Sequence, residues 1–478
     1  MDGRSMPRPR HIVIIGGGII GATTAYYLTR HPSFNPLIHH ITLVEATSIA
    51  AGASGKAGGL LGLWAYPMCI VPLSYRLHAE LAAEHDGIAR WGYRRLECVQ
   101  IAATVKGKDS KSKAKSRSRK SMSSKAKRAN RQEDSSTLPQ KHQTHMTSHP
   151  CNGSQAFSPG AQQSLQVQEP AESQTEGKDW QKLPKQDEAA ATLMRQSILP
   201  ADLDWIDSEL IEEYAEMGMD GYTETALVHP HQFTTSIADL AHSAGVDIRL
   251  NAKVTKIGIS YGSVKSVEYI DRVTGSLRTM LGVTDVVVAA GPWCSSLLPQ
   301  TKVEGLRAHS IVFEADVTPY AVFTNISLPA NWIPPHRQRR VHNGNVDPEM
   351  YARPGGEVYA CGECDPSVPL PETADLVEVD EAQCDDMAAY IGTVSTTLKA
   401  APVIAKQACY MPRHMRPGQE STPLVGGTTV EGLWIAAGHT CWGIQNGPAT
   451  GKLMSELIFE GAAKSADIAE LDPRQFGI

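Results

Sequence analysis

Three glycines near the N-terminus, Gly16-x-Gly18-x-x-Gly21, stand between an apolar run, His11-Ile12-Val13-Ile14-Ile15, and a helical stretch, Ala22 to Arg30. In a strand–turn–helix setting each has a distinct job. Gly16 permits the tight turn, Gly18 lets the backbone approach a pyrophosphate, and Gly21 lets helix and strand pack closely. The amides of Ile19 and Ile20, at the positive end of the helix dipole, then face the phosphates. A second strand, Ile41 to Glu45, ends on a carboxylate 24 residues past Gly21. Glu45 is placed to accept hydrogen bonds from ribose hydroxyls and disfavours a 2′-phosphate. These residues would bind a dinucleotide; alone they do not say which.

Two later turns bear on that choice. Val286-Val287-Val288-Ala289-Ala290 is an apolar strand ending at Gly291, followed by Pro292-Trp293. Leu433-Trp434-Ile435-Ala436-Ala437 is another, ending at Gly438 and followed by His439-Thr440-Cys441-Trp442-Gly443-Ile444. A domain for NAD alone completes its site within its own βαβαβ halves. A flavin has a second end to hold, the N1–C2=O edge of its ring, where a helix N-terminus stabilises the charge gained on reduction. The pattern predicts FAD.

The elements that must position these residues form an α/β protein. Near-continuous apolar strands predict a buried parallel sheet. Helices are predicted over Leu73 to Trp91, Ala189 to Met217, Glu381 to Leu398 and Ala449 to Glu460, and an amphipathic helix opens at Val228-His229-Pro230 and ends at Gly245. A meander of short strands from Val246 to Leu281 precedes the second glycine turn.

The 478 residues carry a net charge of −6, which gives no reason to expect nucleic acid or an acidic membrane as partner. That average hides a basic run. Lys106 to Arg131 holds 12 Lys/Arg against one Asp, a local +11, leaving −17 for the rest. From 105 to 187 Ser, Lys, Gln and Pro replace apolar residues, the composition of a disordered insertion. Nine scattered cysteines argue against a full disulfide set. With no apolar leader and no membrane-length apolar stretch, a cytoplasmic setting is the expectation.

The combination of motifs resembles the D-amino-acid oxidase/glycine oxidase/sarcosine oxidase superfamily of FAD-dependent oxidoreductases. The residues that carry it are Gly16–Gly21 with Glu45, Ala53-Ser54-Gly55-Lys56-Ala57-Gly58-Gly59-Leu60, His229-Pro230-x-x-Phe233, Val288 to Trp293, and Gly438-His439-x-x-Trp442-Gly443-Ile444 running to Gly451. The C-terminal segment is most similar to a fungal branch of oxidoreductases without an assigned substrate. The resemblance implies a discontinuous Rossmann-like FAD domain (8–104, 226–300, 405–465) and a mainly antiparallel α+β substrate domain (188–225, 301–404). It also implies that Ala46, Ser54, Gly58, Gly59 and Leu60 lie along the cofactor, that Val254 bonds the adenine through its backbone, and that Gly291, Trp293, Gly438, His439, Trp442, Gly443 and Ile444 surround the ring. The implied activity is oxidation of a C–N bond of an amine or substituted amino acid by hydride transfer to the flavin. The electron acceptor is O₂ or another molecule. A flavin-binding protein with a non-catalytic trafficking or interaction role is the alternative.

Several positions depart from the family pattern. Met411 stands where amino-acid oxidases place a carboxylate-clamping arginine, leaving Arg353, Arg413 and Arg416 as substitutes or as surface residues. Cys409-Tyr410 resembles the pair that links flavin covalently in sarcosine-oxidase-like members; the other reading is a small buried hydrophobe. The segment Gly356 to Glu363 lacks the lysine that promotes reaction with oxygen in those members. Cys361-x-x-Cys364 has the spacing of half a zinc site but no partner motif, so no metal is expected. His439 is expected to position groups, and no catalytic residue is assigned.

Overall fold

The computed structural model describes residues 8–105, 199–216, 224–337, 344–416 and 419–478. All but the first residue of the 105–187 insertion lies outside them.

The apolar runs form one six-stranded sheet. Its order is Leu424–Gly427, Leu433–Ala437, Asp285–Val288, Arg10–Ile15, His39–Val44, Asp247–Arg249. All neighbours are parallel except the first pair. Strand alternation sorts the side chains onto two faces. Ile12 and Ile14 pack with the helices Ile19–Arg30, Pro230–Ser243 and Gly443–Glu460. Val13 and Ile15 pack with the three-stranded meander Ala252–Ser260, Ser263–Asp271, Leu277–Leu281. Both faces are covered, which is why these strands read as unbroken apolar runs.

A second, nine-stranded sheet is antiparallel apart from one pair. Its path runs Gln419–Glu420, Val403–Arg416, Val303–Glu314, Glu357–Asp365, Glu349–Arg353, Tyr320–Ser327, Glu97–Thr104, Ile211–Glu216, with Asn345–Val346 beside Tyr320–Ser327. The strands Glu97–Thr104 and Val403–Arg416 thus pair here, although the sequence boundaries grouped 97–104 and 405–416 with the dinucleotide-binding segments. Edge pairing between distant strands leaves no local composition signal.

Three helix boundaries also differ from the sequence reading. Within 189–217, residues 211–216 form an edge strand, with Tyr214 and Ala215 buried and its glutamates at the rim. Pairing with Glu97–Thr104 overrides local helix preference there, and charged side chains suit an exposed edge. The helix expected over Leu73–Trp91 is split into Val71–Glu84 and Gly87–Trp91 by Asp86 at φ +53°. The one expected over Glu381–Leu398 breaks at Gly392, and Ser395 caps the second piece through the Leu398 amide.

The last helix begins at Gly443, six residues before the predicted start. Pro448 lies inside it and cannot bond the carbonyl of Ile444. His78 Nε2 donates to that carbonyl at 3.0 Å, so the missing bond is replaced from outside. Gly447 and Gly451 let this helix press on the first one: added Cβ atoms would stand 2.7 Å from Ile19 Cγ1 and 2.5 Å from the Thr23 carbonyl carbon. Thr23 Oγ1 donates to the Gly447 carbonyl at 2.8 Å across the same contact.

Candidate active site

The glycine turns after Ile15, Val288 and Ala437, and Glu45 after Val44, all sit at the carboxyl ends of adjacent parallel strands. Ligands of open α/β sheets bind at that edge. A cavity of about 730 Å³ opens there. Every residue assigned to the cofactor from sequence lines it, with the single exception of Gly21.

Gly21 acts by what it lacks. A Cβ there would fall 1.9 Å from the Gly16 carbonyl oxygen, so the turn closes only with glycine at this position. Gly16 itself sits at φ +114°, a conformation that L side chains rarely adopt. Ser54 Oγ accepts from the Ile19 amide at 2.9 Å, pinning the segment 53–60 to the start of the first helix.

Glu45 is held from both sides. Its Oε2 accepts from the Gly17 amide at 2.7 Å, and its Oε1 accepts from the Thr47 amide and hydroxyl at 2.8 and 2.9 Å. Oε1 is filled by these two donors, and Oε2, with one, retains acceptor capacity toward the cavity that Glu45 lines. Lys253, Val254 and Thr255 stand beside it, because Ala252 donates its amide to the Glu45 carbonyl at 2.8 Å.

At the far end lie Gly438, His439, Trp442 and the first turn of the 443–460 helix. His439 is 2% exposed; its Nε2 bonds Thr450 Oγ1 at 3.0 Å, and its Nδ1 is buried without a hydrogen-bond partner among the described residues. Burial lowers its pKa to about 3, so the ring is neutral. A neutral, doubly enclosed imidazole orients its neighbours and does not shuttle protons at ordinary pH.

The nine-stranded sheet closes the cavity. Phe323, Glu349, Tyr351, Tyr359, Cys361, Cys409 and Met411 come from four of its strands. Sequence reasoning assigned no function to the first four, because nothing local marks which face of an antiparallel strand will meet a cofactor domain. Glu349 is buried, and desolvation pushes its pKa up to about 7. Met411 lines the cavity opposite Leu306, and among the described residues no arginine lines it.

The candidate arginines point to other tasks. Arg353 donates to the Ala57 carbonyl at 2.5 Å and to the Gly58 carbonyl at 3.4 Å, and its guanidinium lies 4.5 Å from the Tyr359 ring centroid. Arg416 sits over Phe476. Arg413 pairs in register with Glu304 on the neighbouring strand and stands outside the cavity wall. Cys409 lines the cavity with its thiol pushed up to about 11 by burial, against the opposing charge of Lys56, whose Nζ donates to the Ala408 carbonyl at 2.9 Å. Cys361 is a free thiol. No cluster of metal-ligating side chains occurs among the described residues.

The sequence model of the DAO family, FAD dependent oxidoreductases, matches residues 11–457. The chain belongs to that family. Consistent with this, it is 37% identical to the Saccharomyces cerevisiae protein named "Putative oxidoreductase TDA3", over 98% of this chain and 95% of that one. A Schizosaccharomyces pombe protein, "Putative oxidoreductase C1F5.03c", is 29% identical over 98% and 99% of the two chains. Among solved structures, glycine oxidase from Bacillus cereus superposes with a TM-score of 0.56 at 17% identity, covering 95% of each chain. L-proline dehydrogenase from P. horikoshii gives 0.58 at 15% identity over 99% of each. These two establish the shared fold. The protein is an FAD-dependent oxidoreductase, and the residues around the cavity fit that cofactor: a glycine turn against a helix end, a fixed carboxylate without a 2′-phosphate partner, and a second helix N-terminus at the far end. No helix among the described residues is long and apolar enough to cross a membrane.

Proposed function

We propose that this flavoprotein oxidises a C–N bond of a small amine or substituted amino acid, with the FAD-binding role divided among the cavity residues as the sequence predicts. FAD, when bound, supplies the acceptor for the hydride leaving the carbon beside nitrogen. The Gly16–Gly18 turn and the amide of Ile20 would hold the pyrophosphate, the Ile19 amide being taken by Ser54 Oγ, while Glu45 would accept from a ribose hydroxyl and the backbone at Val254 would meet the adenine. Gly443 and Ile444 bring the positive end of the last helix to the edge of the ring where charge develops. The face carrying Phe323, Tyr351 and Tyr359 excludes water and orients the substrate.

The observation that carries this reading is the continuity of one cavity from the Gly16 turn to the antiparallel sheet. A substrate on that sheet would share the cavity with the cofactor held by the glycine turns. Glycine and L-proline, the substrates in the names of the two solved structures, each contain an amine C–N bond.

Anaerobic titration of the purified protein with a panel of amines and N-substituted amino acids tests the proposal. Bleaching of the visible flavin band by a member of the panel is the expected result. A spectrum unchanged across the panel would favour a flavin-binding protein without this catalysis. Hydrogen peroxide formed on admitting air identifies O₂ as acceptor; bleaching that persists in air points to a different one.

A further inference from the structure

The antiparallel-sheet wall of the cavity holds one carboxyl group, Glu349, and no Lys or Arg among the described residues. Along Glu349–Arg353, strand alternation puts Glu349 and Tyr351 on the same side. The register sets Glu349 opposite Cys361 and Phe323, and Tyr351 opposite Tyr359. Glu349 is 7% exposed. Its Oε2 accepts from the Tyr351 hydroxyl and, at 3.9 Å, from the Cys361 thiol. Asp347, also acidic, acts on it electrostatically. Among the described residues the one Lys or Arg on the cavity wall is Lys253, at the Glu45 end, and it is paired with Glu372 at 3.0 Å. A buried carboxyl with no cation is costly, and proteins ordinarily pair such groups.

Around this carboxyl the rings form a continuous surface. Tyr351 and Tyr359 stack with centroids 5.8 Å apart, Phe323 lies 6.0 Å from Tyr351, and Trp64 bridges Phe323 to Trp442 edge-on. Ring faces attract cations. The patch also abuts the segment assigned to the flavin: a Cβ on Gly58 would stand 2.4 Å from Tyr351 Cε2.

We infer that Glu349 anchors the ammonium group of a cationic amine that lacks a carboxylate, held against Phe323, Tyr351 and Tyr359, and that its carboxylate takes one ammonium proton, leaving the neutral amine from which hydride can depart. The inference rests on the C–N oxidation proposed above and narrows it. An α-amino acid would bring its carboxylate to a wall that offers Glu349 and, among the described residues, no arginine or lysine, since Met411 occupies the clamp position and Arg353 is engaged with the Ala57 and Gly58 carbonyls. The substrate class is therefore a primary or secondary amine with an aliphatic or aromatic body.

The test uses the FAD-loaded protein and two readouts. In anaerobic titrations, benzylamine and N-methylbutylamine should bleach the flavin at concentrations at least tenfold below phenylglycine and N-methylnorvaline, their carboxylated counterparts. Preference for the carboxylated members overturns the inference and leaves C–N oxidation standing. Independently of turnover, calorimetry should detect tetramethylammonium binding, at least tenfold tighter than the neutral probe tert-butanol. Glu349→Gln should weaken tetramethylammonium at least tenfold, and Glu349→Asp should retain part of the binding. Equal binding of the two probes by the unaltered protein overturns the assignment of Glu349, whether or not the variants fold. If no amine or amino acid bleaches the flavin but tetramethylammonium binding depends on Glu349, the anchor stands and the oxidation reading fails.

Discussion

Replacing Glu45 with Gln tests the cofactor end of the cavity. The native carboxylate accepts from the Gly17 amide on one oxygen and from the Thr47 amide and hydroxyl on the other. A glutamine keeps one acceptor oxygen and turns an NH₂ group toward the other set of donors, so one backbone amide loses its partner whichever way the side chain flips. Losing a hydrogen bond to a charged acceptor costs about 2 kcal/mol. An NH₂ group accepts no hydrogen bond, so the one a ribose hydroxyl would donate to Glu45 is lost when that group faces the cofactor. A second loss of about 2 kcal/mol on binding corresponds to a roughly 30-fold weaker FAD affinity. Quenching of FAD fluorescence on titration into apoprotein measures the affinity, and thermal unfolding of apoprotein measures the stability. The expected result is a lower melting temperature without FAD and a dissociation constant raised by that factor. Affinity within twofold of wild type would refute the placement of the ribose at Glu45.

Other outcomes follow from the same geometry. Gly21→Ala puts a methyl 1.9 Å from the Gly16 carbonyl oxygen; the clash exceeds the usual overpacking cost of about 1–3 kcal/mol, and the variant should be isolated without flavin colour or not at all. His78 and His439 are buried, with pKa lowered by desolvation to about 4 and about 3 from 6.5. Their folded values lie below the unfolded one, so the unfolded chain binds more protons. Stability is complete above about pH 6.5 and falls as pH drops, by about 1.4 kcal/mol per unit for each ring, until the folded values are reached. Denaturant midpoints between pH 7 and 4.5 should flatten in His439→Asn; an unchanged acid limb would show that His439 is not neutral in the fold. Burial holds the Cys409 thiol protonated at neutral pH, so acid precipitation should leave the yellow colour in the supernatant. Colour in the pellet, absent from Cys409→Ser, would establish a thioether to the flavin instead.

Much of the dinucleotide end was legible because its signals are local. A glycine that must avoid a clash five residues away, or a carboxylate at the end of an apolar strand, is written within a few neighbouring positions. Gly16, Gly18, Glu45 and Gly438 were readable for that reason, and each lines the cavity. The far helix was readable only in part. Its first six residues looked like a loop because Pro448 and two glycines are poor helix formers, and the compensation comes from His78 and Thr23 in other elements.

The substrate wall was decided elsewhere. Glu349 and Tyr351 share one face of a five-residue strand that is buried on both faces, with Met350 and Ala352 on the other. Only pairing with Tyr320–Ser327 and Glu357–Asp365, strands fixed by contacts along the whole nine-stranded sheet, turns those side chains to the cavity. The sequence by itself determined that a dinucleotide is held at a helix end, because that geometry is built from near neighbours. The tertiary structure alone placed the buried Glu349 carboxyl on a cavity wall that carries no arginine among the described residues, because burial and charge balance are properties of the assembled surface.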